Sequence, residues 1–202
     1  MEEYRYARLY DPLLYPFIQP IRKYILSLIK ERKYSTVLDV CCGTGDQLKL
    51  LGKFGIEAEG VDLSENMLAI AMQGDTPAKC LKEDASSMHY GDNAFDLTMT
   101  TFALHEKSPE VARRIIEEMV RVTKEGGEML IVDYELGEQT SFLSKKLIWF
   151  IEWLAGREHY ANFQKYLKLG GLPRLLEDLP LQEVKRHYFG QQGIVLVLLK
   201  KS

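Results

Sequence analysis

Short apolar runs alternate with amphipathic stretches along most of this chain, as in a fold where strands and helices take turns. Residues 36–40 (TVLDV) form a β-branched run suited to a buried strand, and the run breaks into Gly43-Thr44-Gly45 before a helical pattern begins at Asp46. A second short strand, residues 58–63, carries Asp62 near its end, so a strand, a glycine turn, a helix and a returning strand form one βαβ unit. Ser64 caps a helix that runs to about Met72, with Glu65 in the first turn where the helix dipole favours an acid. Further strands are predicted over residues 78–81, 94–100 and 128–133. Between the last two, Pro109 opens a helix to about Val122 that buries Ile115, Ile116, Met119 and Val120, with Gly126-Gly127 as its stop.

The two ends of the chain read differently. Pro12, Pro16 and Pro20 break the tyrosine-rich start, so the first helix is expected over residues 21–31. Residues 141–155 make a helix with little polar surface, expected to pack between sheet and cap. Its alternative is a roof over an apolar substrate, with Lys145 and Lys146 near a membrane surface. A short helix over 159–169 stops at Gly170-Gly171. Residues 182–189 and 193–200 then form an antiparallel hairpin around Gly190-Gln191-Gln192-Gly193.

Two nucleoside classes use a glycine turn of this kind. A pyrophosphate fingerprint needs a third glycine where this chain has Leu48, and Asp39 and Asp46 flank the turn with negative charge. Those acids repel phosphates and favour an ammonium or sulfonium cation. Asp62, returning beside the turn, suits the free hydroxyls of a ribose.

These segments resemble the class I S-adenosylmethionine-dependent methyltransferases, in particular their UbiE-like small-molecule branch. The resemblance is carried by VLDVCCGTG, by VDLSENML, by KEDA at residues 82–85, by FDLTMTTFALHE and by IIEEMVRVTKEGGEMLIVDYE, in that order. It implies a Rossmann-like, doubly wound, mostly parallel seven-stranded α/β sheet with one antiparallel strand near the C-terminus and helices on both faces. It also implies S-adenosyl-L-methionine as cofactor, S-adenosyl-L-homocysteine as product, and methyl transfer to an O, N or C atom of a small, fairly apolar or aromatic acceptor.

Asp39, Cys41, Gly43, Thr44, Gly45, Asp62 and Leu63 are the cofactor-binding candidates of the βαβ unit. The resemblance adds Met67 against the adenine, Asp84 and Ala85 for the adenine edge, Thr101 at the fourth strand's carboxyl end, and Tyr10 from an N-terminal arm that closes over the site. Cys41 stands where the family commonly has a glycine and is expected at an ordinary φ. His105 and Tyr134 are the catalytic candidates, because strand ends 4 and 5 bring them to the substrate side and His105 titrates near neutrality. A nicotinamide-dependent oxidoreductase and a non-catalytic cofactor-binding protein remain the other readings.

Composition narrows the partners. The 202 residues are 46% hydrophobic and 27% charged, with a formal net charge of −3, so nucleic acid is disfavoured as a partner. A single methyltransferase domain is expected: an arm and helix over 1–33, a cofactor core over 34–135, a helical substrate cover over 136–180 and a C-terminal hairpin over 181–202. The three cysteines make no disulfide framework and no apolar run is long enough to span a bilayer, which makes the cytoplasm the default location. The four histidines show no helical ligand spacing, so no metal signature is read. The sequence does not set an oligomeric state.

Overall fold

A computed structural model describes residues 7–202, with side chains from Ile18 onward. The first helix, α1, spans Ala7–Arg32. It is followed by β1 Val37–Val40, α2 Asp46–Lys53, β2 Ala58–Asp62, α3 Glu65–Ala71, β3 Lys79–Lys82, β4 Phe95–Thr101, α4 Pro109–Val122 and β5 Thr123–Tyr134. The remainder is α5 Phe142–Leu154, α6 Arg157–Lys168, α7 Gly171–Leu176, β6 Leu181–Phe189 and β7 Ile194–Lys201.

The seven strands lie in the order β3-β2-β1-β4-β5-β7-β6. Parallel pairing runs from β3 through β5, and β7 lies antiparallel to both β5 and β6. The doubly wound sheet with one antiparallel strand is therefore present. Successive crossovers go outward from β1 to β3, then the chain jumps back to place β4 on the other side of β1. That reversal leaves a crevice at the carboxyl ends of β1 and β4, where open α/β sheets take their ligands.

Helices cover both faces, which is why the central strands are apolar at nearly every position. Leu38, Met129, Ile131 and Val197 pack with Ile115, Ile116 and Met119 of α4 on one face. Val37, Leu130, Val132 and Leu198 meet Ile21, Ile25 and Ile29 of α1 and Leu51 of α2 on the other.

Three elements differ from the sequence pattern. Helix α1 begins fourteen residues before the expected Ile21 and continues through Pro12, Pro16 and Pro20. The prolines are spaced by four, so the N–H missing at Pro16 and Pro20 would have reached the carbonyls of Pro12 and Pro16, and the losses fall along one side of the helix. Strand β5 starts at Thr123, directly after α4, and Gly126-Gly127 lies within it as a register break against β4. A Cβ on Gly127 would sit 2.8 Å from the Lys124 carbonyl, so the irregularity needs a glycine.

The third difference is α5, whose apolar side chains do not form a buried layer. Only Ile148 and Glu152 are buried, whereas Phe142 and Leu143 are each 72% exposed and Trp153 is 61% exposed. The entry to this helix leans on the β6–β7 turn: Thr140 Oγ1 donates to the Gln192 carbonyl at 2.6 Å and Ser144 Oγ to the Gly190 carbonyl at 2.7 Å.

Candidate active site

Strand β1 leaves the sheet at Cys41, which adopts φ 60°. This corrects the expectation of an ordinary φ. The chain must turn sharply there to bring the Cys42 N–H onto the Val61 carbonyl at 3.0 Å and the Gly45 N–H back to the Cys42 carbonyl at 2.9 Å. Cys41 thus occupies a left-handed conformation that suits glycine, and burial pushes its thiol up to about 12. Gly45, at φ 67°, opens α2, and a Cβ there would lie 2.8 Å from the Ala78 side chain.

The absent third glycine has a counterpart across the packing. Leu48 turns inward from α2, and Gly60 on β2 gives it room: a Cβ on Gly60 would come within 2.6 Å of Leu48 Cδ1. Helix and strand approach closely here because the small residue sits on the strand.

Asp62 organises the turn. Its Oδ2 accepts the Gly43 N–H at 2.8 Å and its Oδ1 accepts the Ser64 N–H at 2.8 Å. Asp39, 2% exposed, has an Oδ1 without a hydrogen-bond partner among the described residues, and the same holds for both side-chain polar atoms of Gln47. Burial, with Cys80 and Asp62 adding to it, raises the Asp39 carboxyl well above the usual carboxylate range. Asp46 is paired with Arg22 of α1 at 2.9 Å, whereas Asp39 and Asp62 form no ion pair among the described residues.

A cleft of about 320 Å³ opens at this point. Asp39, Cys41, Gly43, Thr44, Asp62, Leu63, Met67, Asp84, Ala85 and Thr101 all line it. Gly45 lies behind the wall as the α2 cap, and the Tyr10 side chain falls outside the described part of the structure, as do Tyr4 and Tyr6. The carboxylate of Asp84 is held by the Ser86 backbone N–H at 2.8 Å, which lowers its pKa and keeps it an acceptor. Orphaned Asp39 and Gln47 atoms, an open face at Gly43 and acids at both strand ends fit a nucleoside bearing a positive charge.

Pattern reading missed several wall residues. Ile18, Ile21 and Ile25 of α1 reach the cleft, as do Gln47, Phe102, Val111 and Ile115. Phe102, just past β4, has φ 55°. No sequence signal marks a bulky residue in that conformation, which is a genuine outlier of the kind that gathers at functional sites.

His105 and Tyr134 are not among the residues lining the cleft. His105 is 2% exposed beneath α5 and α6, with Nδ1 2.6 Å from Asp133 Oδ1. Asp133 also accepts the backbone N–H groups of Leu104, His105 and Tyr134, so one buried carboxylate ties the middle of the loop after β4 to the end of β5. The other imidazole nitrogen, Nε2, faces His159 Nε2 at 3.4 Å and Glu152 Oε2 at 3.4 Å. His159 Nε2 lies 2.9 Å from that same Glu152 oxygen, and its Nδ1 lies 3.6 Å from Glu106. Burial alone would depress the His105 pKa, but Asp133 and Glu152 outweigh it and raise it to about 10. Burial would likewise raise Glu152, and the two imidazoles instead hold it near 2. The one acid inside the apolar run FIEWL was the signal available for this cluster, since a buried carboxylate must have partners.

A family model described as a methyltransferase domain matches residues 37–127, the stretch that builds the cleft. Demethylmenaquinone methyltransferase of Bacillus licheniformis is 30% identical over 183 residues, an alignment covering 81% of this chain and 78% of that protein. The protein of the same name from Shouchella clausii is 34% identical over 144 residues, 65% of this chain and 60% of the relative. Among solved structures, magnesium protoporphyrin IX methyltransferase from Synechocystis with bound SAH is 15% identical. It superposes with a TM-score of 0.63 over 91% of this chain and 83% of that one. With acids at the ends of β1 and β2 about a glycine turn and a matching family model over the same residues, the chain belongs to the S-adenosylmethionine-dependent methyltransferases of the UbiE-like kind.

Proposed function

We propose that this methyltransferase acts on an O, N or C nucleophile of a small, largely apolar or aromatic molecule. The supporting observation is the composition of the cleft beyond the glycine turn, where Ile18, Ile21, Ile25, Phe102, Val111 and Ile115 form the wall, and Glu106 and Lys107 stand at its β4 side. An apolar pocket with few polar groups orients a ring or chain and excludes water.

The cofactor, when bound, supplies a methyl group on a sulfonium centre that is already electrophilic. The chain contributes position and charge: Asp62 and Asp84 present acceptors to the nucleoside, Asp39 and Gln47 present buried polar atoms to its charged end, and Met67 and Leu63 wall the base. Glu106 is the carboxylate placed to accept a proton from an acceptor hydroxyl, with the Lys107 ammonium 2.6 Å from its Oε1. His105 and Tyr134 act as positioning residues through the loop that Asp133 holds.

The relatives named as demethylmenaquinone methyltransferases make a quinone-type ring the first acceptor class to test. The exposed aromatics of α5, with Lys145 and Lys146 beside them, support collection of such a molecule at a membrane surface. Labelled methyl transfer from S-adenosylmethionine to quinols, catechols and aromatic amines, in solution and in vesicles, tests the proposal. Product formation with one of these classes is expected. Transfer confined to protein or RNA would overturn it.

A further inference from the structure

We propose that His105, Glu152 and His159 bind a divalent first-row transition metal ion of the zinc type, which fastens the α5–α6 cover to the core. The three residues come from the loop after β4, from α5 and from α6, and the last two are separated by the helix break at Gly156. Their ligand atoms nonetheless converge within 4.8 Å of one another.

The geometry is that of a coordination shell. The triangle formed by the two Nε2 atoms and Glu152 Oε2 has edges of 3.4, 3.4 and 2.9 Å. An ion with bonds of about 2.0–2.1 Å in tetrahedral geometry spaces its ligands by about 3.3–3.4 Å, so two edges already match and the third needs to open by a few tenths of an ångström. Glu152 is 3% exposed, and its Oε2 makes no aligned hydrogen bond among the described residues although both imidazole nitrogens are near it.

The surrounding shell points the same way. Metal-binding imidazoles direct their second nitrogen at a carboxylate or carbonyl, which sets the tautomer and orients the ring. Here His105 Nδ1 meets Asp133 and His159 Nδ1 faces Glu106. Both rings therefore present Nε2 to the same point. Two nitrogens and one carboxylate oxygen suit zinc and its neighbours and leave a fourth position for water, while His159, 27% exposed at its side chain, provides a way in. Such an ion would join one core residue to two cover residues directly behind Glu106.

The test is titration of the chelator-treated full chain with Co2+ and Zn2+ alone. One equivalent is expected, with the intense visible bands of four-coordinate Co2+ and a rise in melting temperature. His159→Ala is partly exposed and should fold. It and Glu152→Gln should each weaken Co2+ by at least roughly 10²-fold and abolish the bands, and Glu106→Gln should weaken it by about 10-fold. No binding and no change in melting would overturn the proposal and leave a metal-free ion-pair cluster. Binding of equal strength in His159→Ala would overturn it as well, since the ion would then sit elsewhere.

Discussion

Cys41 and Phe102 leave two adjacent parallel strands in the same left-handed conformation, φ 60° after β1 and φ 55° after β4. Just past these turns Gly43 and Ala103 both line the cleft. A left-handed residue with a side chain costs about 1–2 kcal/mol. Glycine at position 41 would remove that strain and return about 0.5–1 kcal/mol of it as chain entropy. Cys41→Gly is therefore expected to be neutral or to stabilise by up to about 1 kcal/mol, as measured by denaturant unfolding; a clear destabilisation would show that the thiol's packing outweighs the strain.

Asp62 holds both the turn and, on the proposed assignment, the ribose. Asp62→Ala should weaken cofactor binding by about 1.5–3 kcal/mol, the range for a bond to a charged group. It should also lower the melting temperature, because the Gly43 and Ser64 amides lose their acceptor. Asp62→Asn should recover part of the stability and little of the affinity; calorimetry showing an unchanged dissociation constant in either variant would remove Asp62 from the cofactor site.

Asp39 couples the site to pH. Its folded pKa lies above the unfolded value of about 4, so the stability contribution is present below that pH and is lost as pH rises through the raised value. Over the same window the carboxylate becomes available to a cation, and cofactor affinity should increase. Asp39→Asn should melt higher than the parent at the top of the window and bind cofactor with little pH dependence. Melting curves that run parallel for the two proteins from acid to alkaline pH would contradict this.

Glu106 and His105 are separable once an acceptor is known. Glu106→Gln is expected to lower turnover by roughly 10²-fold or more with the melting temperature little changed. His105→Gln should lose thermal stability and keep more of the turnover. The reverse pattern would make His105 the base.

Exposed Phe142, Leu143, Phe150 and Trp153 predict binding to anionic vesicles. A Phe142→Ser, Leu143→Ser, Trp153→Ser triple variant should remain in the supernatant after sedimentation with such vesicles while binding cofactor normally. Equal partition of parent and variant would end the membrane proposal.

The first βαβ unit was legible because β-branched runs, paired glycines and terminal acids each signal within a few residues. The hairpin followed from the same local cues, whereas the mostly parallel seven-stranded sheet was implied by the family resemblance. What escaped was set by contacts across the fold. The proline-spaced α1 is held by Ile21, Ile25 and Ile29 on the sheet, which local propensity does not register. His105, Glu152 and His159 share no sequence spacing and meet only when α5 and α6 pack against the loop after β4. Ten of the cofactor candidates line the cleft, whereas both catalytic candidates lie behind it, since a strand end specifies a loop's location but not which of its side chains turns inward.

The bonds from Thr140 and Ser144 to the β6–β7 turn make the start of α5 part of the sheet's far edge. Backbone N–H groups at Glu135 and Ser141 donate to Gly193 and Gln191 in the same place. Segments 135–145 and 189–194 should then open as one cooperative unit, with amide hydrogen exchange rates that rise and fall together. Any movement of α5 that admits a bulky acceptor must pivot about this latch, so a substitution in the hairpin, far from the chemistry, can set the rate at which product leaves.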